Sequence, residues 1–310
     1  MPPAMLATFF GPSGLAVAMC TAGIAIWSIG VWAARREIAD ARGQEKLLAL
    51  SNVCFAVPLA VFGALHLFGP AFVRDLVPAY MPWRAFWVYA VGIALIAASV
   101  SIATRIGVRW SGLLVGIMMF LFVAMLYLPS GLRHLDARIT WVIVFRETSF
   151  GSAGWLLAGT AAHGWGATGT RRLIAVGRVG VTLALIMFGI QHFLHPMGLP
   201  GVPLEKQMAP WIPGRTLIDY LTGAGQLAAA GSVLLHRHAR TVTTWLGGWI
   251  LLMILAIYGP VLVAALGAPG LEDQVVGINY FADTLLFAGA ILALARATPA
   301  STPESAATTP

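Results

Sequence analysis

Nine stretches of this chain stay apolar for about twenty residues at a time, and the short loops between them hold most of the charge. They run approximately over residues 12–34, 48–68, 85–104, 110–128, 141–162, 174–194, 216–235, 244–266 and 277–295. A helix rises about 1.5 Å per residue, so about 20 apolar residues cross the hydrocarbon layer of a bilayer. The runs are about twice as long as a barrel strand and do not alternate, so they read as helices. Only 10% of the residues are charged and 59% are hydrophobic, whereas a soluble domain carries about 25% charge. The expected fold is an all-α, polytopic membrane helix bundle of about nine transmembrane helices. The first run has no basic leader and no small-residue cleavage site, so it is expected to be retained rather than cleaved as a signal peptide.

Charge placement sets an expected orientation. With the N-terminus outside, Arg35, Arg36, Arg42, Lys46, Arg105, Arg109, Arg171, Arg172, Arg178, Arg237, Arg240 and Arg296 fall inside. That is 12 of the 19 basic residues, leaving 7 on or near the other side. Short loops rich in Lys and Arg stay cytoplasmic. The protein is therefore expected to be multi-pass in the cell membrane, with its N-terminus outside and its C-terminus in the cytoplasm. The net charge of +7 follows from this topology. The arginines are scattered over short loops and build no contiguous soluble basic face, which excludes nucleic acid as a partner.

The chain also describes one unit twice. Phe62-Gly63-Ala64-Leu65-His66 returns as Phe188-Gly189-Ile190-Gln191-His192, a spacing of 126 (192 − 66). From Pro82 to Pro129 an ungapped register of 131 holds against Pro213 to Pro260, with 12 identities in 48 positions. Matches of Ala, Leu and Gly are cheap in so apolar a chain. Those of Pro82/Pro213, Arg84/Arg215, Tyr89/Tyr220, Arg109/Arg240, Tyr127/Tyr258 and Pro129/Pro260 are not. The expected organisation is an N-terminal helix and charged linker over residues 1–47, a four-helix unit over 48–168 and a second over 169–296. A Pro-, Ser-, Thr- and Ala-rich tail over 297–310 is expected to be disordered. Four spans per unit is an even number, so the two units must run parallel, and such folds place shared polar sites where the halves meet.

The repeated residues resemble those of the DoxX-like integral membrane proteins. That family's four-helix unit carries a pattern close to G-x-x-H-F-x-x-P, then V-P-x-x-x-P, then a helix opening with an aromatic residue and Gly. Here the first unit shows Gly63, His66, Pro70, Val77, Pro78, Pro82, Tyr89 and Gly92. The second shows Gly189, His192, Phe193, Pro196, Pro210, Pro213, Tyr220 and Gly223. The similarity spans roughly residues 50–295. Such units often carry a glutamate a few residues after the helical Gly, where this chain has Leu95 and Gln226. The resemblance implies a small membrane protein associated with quinone- or sulfur-linked oxidoreductases.

Ionisable groups inside a bilayer cost about 2.5–3.5 kcal/mol each at mid-helix on insertion scales, so each needs a reason. Glu147 and Asp283 lie about six residues into the fifth and ninth runs, an expected depth of about 9 Å. His66, His192, Tyr127, Tyr258, Arg84 and Arg215 map to the outer ends of their runs. These eight are the candidate ligand-binding or proton-linked residues. Each also has a structural reading: a histidine bonded to a helix-end carbonyl, an arginine snorkelling to headgroups, a tyrosine in the interfacial belt. For the two acids that reading is pairing with Arg84 or Arg215 across the bundle. Asp219 faces Val88 in the other unit, which sets it outside the shared set.

Metal and haem are not expected, since neither an HExxH nor a haem-attachment motif is present. Gly164, Gly166 and Gly169 have the spacing of a phosphate loop but lie between membrane runs, without the strand that would give it meaning. Cys20 and Cys54 occupy separate apolar runs, which disfavours thiol–disulfide chemistry. Three functions stand. One is a membrane subunit of a redox system, with an outer-leaflet polar cavity for a quinone or similar apolar molecule. Another is a small-solute carrier or channel, opposed by acids expected near one surface and by the lack of a visibly broken span. The third is a non-catalytic assembly protein. Catalysis in isolation is the least expected.

Overall fold

The structure is a computed structural model describing residues 11–162 and 164–299; the tail expected over 297–310 lies outside the described residues from 300 onward. Thirteen α-helical segments follow in order: α1 Gly14–Asp40, α2 Glu45–Ala49, α3 Ser51–Phe68, α4 Ala71–Arg74, α5 Arg84–Thr104, α6 Val108–Phe122, α7 Leu128–Arg133, α8 Arg138–Thr160, α9 Ala167–Leu194, α10 Arg215–Leu234, α11 Ala239–Met253, α12 Gly259–Leu266 and α13 Leu271–Arg296. Among the described residues, seven helical spans are long and apolar enough to cross a membrane: Gly14–Asp40, Glu45–Phe68, Arg84–Thr104, Val108–Arg133, Ala167–Leu194, Ala239–Leu266 and Leu271–Arg296. Helices α8 and α10 are also long, but Arg146 and Glu147 on one and Asp219 and Gln226 on the other lower their apolarity. The outer faces of the bundle are apolar, with Ile24 66%, Ile93 62%, Leu114 61% and Trp245 65% exposed. A surface this greasy has no stable contact with water, and lipid is what covers it.

The same local devices recur 131 residues apart. Left-handed backbone just before Arg84 (Trp83, φ 53°) is found again before Arg215 (Gly214, φ 66°). Arg105 and Gly107 (φ 65° and 73°) correspond to His236 and His238 (φ 55° and 52°). A non-glycine residue in this region is uncommon, so its return at His236 marks the same tight helix-to-helix turn written in different side chains. Pro129 and Pro260 lack an N–H and sit in the first turn of α7 and α12, so the preceding turn cannot close normally. The chain widens into a π-turn at Val123–Tyr127 and at Ile254–Tyr258, where the N–H groups of Leu128 and Gly259 reach back to the Val123 and Ile254 carbonyls. Two of the runs, 110–128 and 244–266, contain this irregular turn, and Tyr127 and Tyr258 close it.

Glycine sets the closest helix crossings. A Cβ on Gly63 would lie 3.1 Å from the Gly92 carbonyl oxygen, and one on Gly189 would lie 3.1 Å from that of Gly223. The two crossings place His66 and His192 directly against the opposite glycines. Gly289 of α13 lies so near α3 that a Cβ would meet the Phe55 nitrogen at 2.7 Å. Ion pairs gather at one end of the bundle. Glu37 at the end of α1 pairs with Arg105, and with Arg296 at the end of α13 at 3.1 Å, while Arg240 pairs with Glu45 at 2.7 Å. At the other end the Ser13 N–H is donated to the Gln274 side chain at 2.9 Å. Helices α1 and α13 are thus tied at both ends and run side by side in the same direction.

Candidate functional site

Arg146 of α8 holds the centre of the bundle. Its guanidinium reaches Glu147 at 2.8 Å on its own helix and Asp283 of α13 at 2.9 Å. The three side chains are only 15%, 10% and 12% exposed. One bidentate-capable cation between two carboxylates satisfies both acids and leaves the cluster one negative charge in excess. The expected partners, Arg84 and Arg215, are corrected. Arg84 lines a separate surface hollow with Pro70, Arg74 and Asp75, and Arg215 donates to the Met208 carbonyl at 3.3 Å. Neighbouring helical residues point about 100° apart, which argues against Arg146 as the partner of Glu147; the length of the arginine side chain overrides that separation.

Both acids lie well inside their helices. Glu147 is nine residues into α8 (147 − 138) and Asp283 twelve into α13 (283 − 271), about 13.5 and 18 Å along each axis. Both helices begin before their apolar runs do, so the acids fall near the middle of their helices.

The triad forms one wall of a cavity of about 640 Å³. Apolar side chains from α3, α5, α6 and α13 make up most of the lining, with His66, Tyr127 and Asn279 as the other polar members. The Asn279 Oδ1 is buried and has no hydrogen-bond partner. Trp87, Leu114, Ile117 and Leu121 line the cavity and are also 39–61% exposed on the apolar outer faces of α5 and α6. The mouth therefore opens toward the lipid-facing surface. Val73 of α4 and Leu76, Val77 and Met81 of the loop that follows it roof the cavity, at the end opposite the Glu37–Arg105–Arg296 cluster. His66 Nδ1 sits 2.8 Å from the Phe62 carbonyl and donates to it, which leaves Nε2 as an acceptor.

The corresponding place beside His192 and Tyr258 is filled by the chain itself. The loop after α9 folds back on itself, with Leu199 N–H donated to Lys206 O at 3.0 Å and Met208 N–H donated to Met197 O at 2.9 Å. Its tip, residues 199–203, is buried. Tyr258 donates to the Pro200 carbonyl at 2.9 Å, Gln226 to the Gly201 carbonyl at 2.7 Å, and Arg138 to the Pro203 carbonyl at 3.0 Å. His192 is fully buried, with Nδ1 2.8 Å from Asp219 Oδ1. The carboxylate can only accept, so Nδ1 carries the proton; in the neutral ring Nε2 accepts the Gly201 N–H at 3.2 Å, with the Gly201 carbonyl oxygen 3.3 Å away. Gly201 has φ +111° and a Cβ there would lie 3.3 Å from Thr284, so only glycine fits.

The eight expected site residues thus divide. His66, Tyr127, Glu147 and Asp283 line one cavity; His192 and Tyr258 hold the tip of the loop and Arg215 its base, through the Met208 carbonyl; Arg84 joins neither group. Asp219, whose counterpart is Val88, is the partner of His192 in the second unit alone. Arg146, Gln226 and Asn279 went unrecognised. Arg146 was adjacent to Glu147 in plain sight, but nothing in the spacing of 27 residues between His192 and Asp219 marks a pair. Among the described residues, no group of His, Cys, Asp and Glu is placed to hold a metal ion. No protein-family model, no curated protein and no solved structure matches this chain.

Proposed function

We propose that this is a multi-pass membrane protein that takes an apolar molecule from the lipid phase into the cavity between α3, α5, α6 and α8. The observation that carries this reading is the lateral mouth. Side chains that face lipid on α5 and α6 continue inward as the cavity wall, and the polar groups sit at its inner end. The volume falls in the usual ligand range of about 300–1,000 Å³. In this reading α8 and α10 also cross, making nine spans, and residues 48–168 and 169–296 form two DoxX-like four-helix units. The recurrence of helix ends, left-handed residues and π-turns at 131 residues supports that organisation. The protein lies in the cell membrane with the cavity toward the outer leaflet and the basic loops in the cytoplasm.

Within that class the reading extends to a subunit of a quinone- or sulfur-linked redox system that acts with a membrane-associated oxidoreductase. The residues fit the reduced form of a quinone: Tyr127, the Asn279 amide and Arg146 supply donors for its oxygens, His66 supplies an acceptor for a hydroxyl, and Leu114, Ile117 and Leu121 supply an apolar path for its tail. When bound, a quinone supplies two-electron, two-proton chemistry. The role of this chain is to desolvate the head group and hold it beside the triad. A second reading, a proton-linked carrier, is favoured by one specific observation: two carboxylates share a single guanidinium at mid-helix, so the cluster can accept a proton without an uncompensated charge.

Purification from native membranes, followed by mass spectrometry of extracted small molecules and of partner proteins, tests these readings. An apolar molecule should co-purify with the natural chain and be lost from Val91→Trp, which fills the cavity. Identical extracts from both would refute the cavity reading. A partner protein without any ligand would favour an assembly role.

A further inference from the structure

The loop in the second half acts as an internal ligand, and it reports the chemistry of the open cavity in the first. One peptide group makes the decisive contacts. The Pro200 carbonyl accepts from Tyr258 at 2.9 Å, and the N–H of the same peptide, on Gly201, is donated to His192 Nε2 at 3.2 Å. A trans amide directs its oxygen and its hydrogen to opposite sides, so Tyr258 and His192 clasp it from both flanks. The buried side chains of Leu199 and Val202 continue the plug on either side.

Tyr127 stands 131 residues before Tyr258, and His66 stands 126 before His192; both line the 640 Å³ cavity. Their chemistry is the same, a phenol O–H to donate and an imidazole Nε2 to accept. Gln226, which also bonds the plug, and Asp219, which holds His192, have no polar counterpart, since they correspond to Leu95 and Val88. What differs is the connecting loop, shorter here by five residues (131 − 126). Instead of inserting, that loop only roofs the space.

We infer that the first cavity binds an apolar molecule whose head carries a hydrogen-bond acceptor and a donor on opposite flanks. The acceptor receives the Tyr127 O–H and the donor is given to His66 Nε2. A fatty amide has this pattern and so does a hydroquinone, whereas an ester, a tertiary amide or an oxidised quinone offers acceptors alone. This inference rests on the reading that the cavity takes molecules from the lipid phase, and it adds which head groups are held.

The test uses the full chain in detergent with brominated acyl probes, which quench tryptophan on contact. Trp87 lines the cavity, so only quenching that is absent from Trp87→Phe counts. Dibromostearamide should bind about tenfold more tightly than its N,N-dimethyl amide, because the latter leaves the half-buried His66 acceptor unpaired inside the cavity. Tyr127→Phe and His66→Leu should each shrink that preference while the dimethyl amide still quenches, which separates lost recognition from lost folding. A short-chain hydroquinone should displace the amide and its quinone should not, if the natural head is a quinol; displacement by neither assigns the site to amide-type lipids. Equal binding of the two amides would overturn the head-group inference and leave the cavity reading intact. No Trp87-dependent quenching by either probe would remove the cavity reading itself.

Discussion

Arg146→Met leaves two carboxylates facing each other in the middle of the bundle. The methionine roughly keeps the arginine's apolar stem, so the perturbation is the loss of the guanidinium and of its contacts at 2.8 and 2.9 Å. Removing one partner of a buried ion pair costs about 3–5 kcal/mol, because the surviving charge remains desolvated. At 10–15% exposure these side chains retain too little water to escape most of that cost. For a chain of this size, each kcal/mol moves the unfolding midpoint by about 2 °C. A fall in Tm of about 6–10 °C is therefore expected in detergent, followed by differential scanning fluorimetry or by circular dichroism. Glu147→Gln should cost much less, because it leaves Arg146 and Asp283 as a balanced pair. The triple change Arg146→Met, Glu147→Gln, Asp283→Asn should recover most of the loss, since neutral groups carry no charge to desolvate. Arg84→Gln and Arg215→Gln should leave the midpoint within about 1 °C, as surface changes away from special features do. A small shift from Arg146→Met, or a triple variant no more stable than the single one, would refute the account of the cluster.

Other measurements reach different parts of the molecule. Gly201→Ala strains a backbone at φ +111° and presses on Thr284; it should expose the loop, read as faster tryptic cleavage after Lys206. Tyr258→Phe leaves the buried Pro200 carbonyl unpaired and should cost about 1–3 kcal/mol, measured by thermal unfolding. Gly289→Leu drives a side chain into the Phe55 backbone and should abolish a stable monodisperse protein, whereas Gly231→Ala, where a Cβ meets nothing, should not. A reporter active only in the cytoplasm should work when fused after Ala297 and fail at the N-terminus; the reverse result would invert the orientation.

Much of the architecture could be read without coordinates, for one physical reason. A bilayer obliges a spanning segment to be long, apolar and helical, so these segments announce themselves locally. The register of 131 was legible because it rests on Pro, Arg and Tyr, types that do not recur by chance in an apolar chain. Helices α8 and α13 begin three and six residues before the apolar runs expected at 141 and 277 (141 − 138, 277 − 271), because hydropathy marks where the apolar run begins and not where hydrogen bonding does.

Partner choice was beyond the reach of pattern. Asp283 meets Arg146 across 137 positions and Asp219 meets His192 across 27, and both distances are set by how helices cross, not by any periodicity. The largest difference between the halves was equally hidden. Counted in sequence, the second outer loop is merely five residues longer. In three dimensions those residues let Pro200 and Gly201 reach between Tyr258 and His192, while Tyr127 and His66 look into open space. Composition and spacing determined what kind of solvent this chain lives in and which residues recur. Tertiary packing alone decided which copy of the site is filled, because backbone reach and close approach are properties of the folded chain.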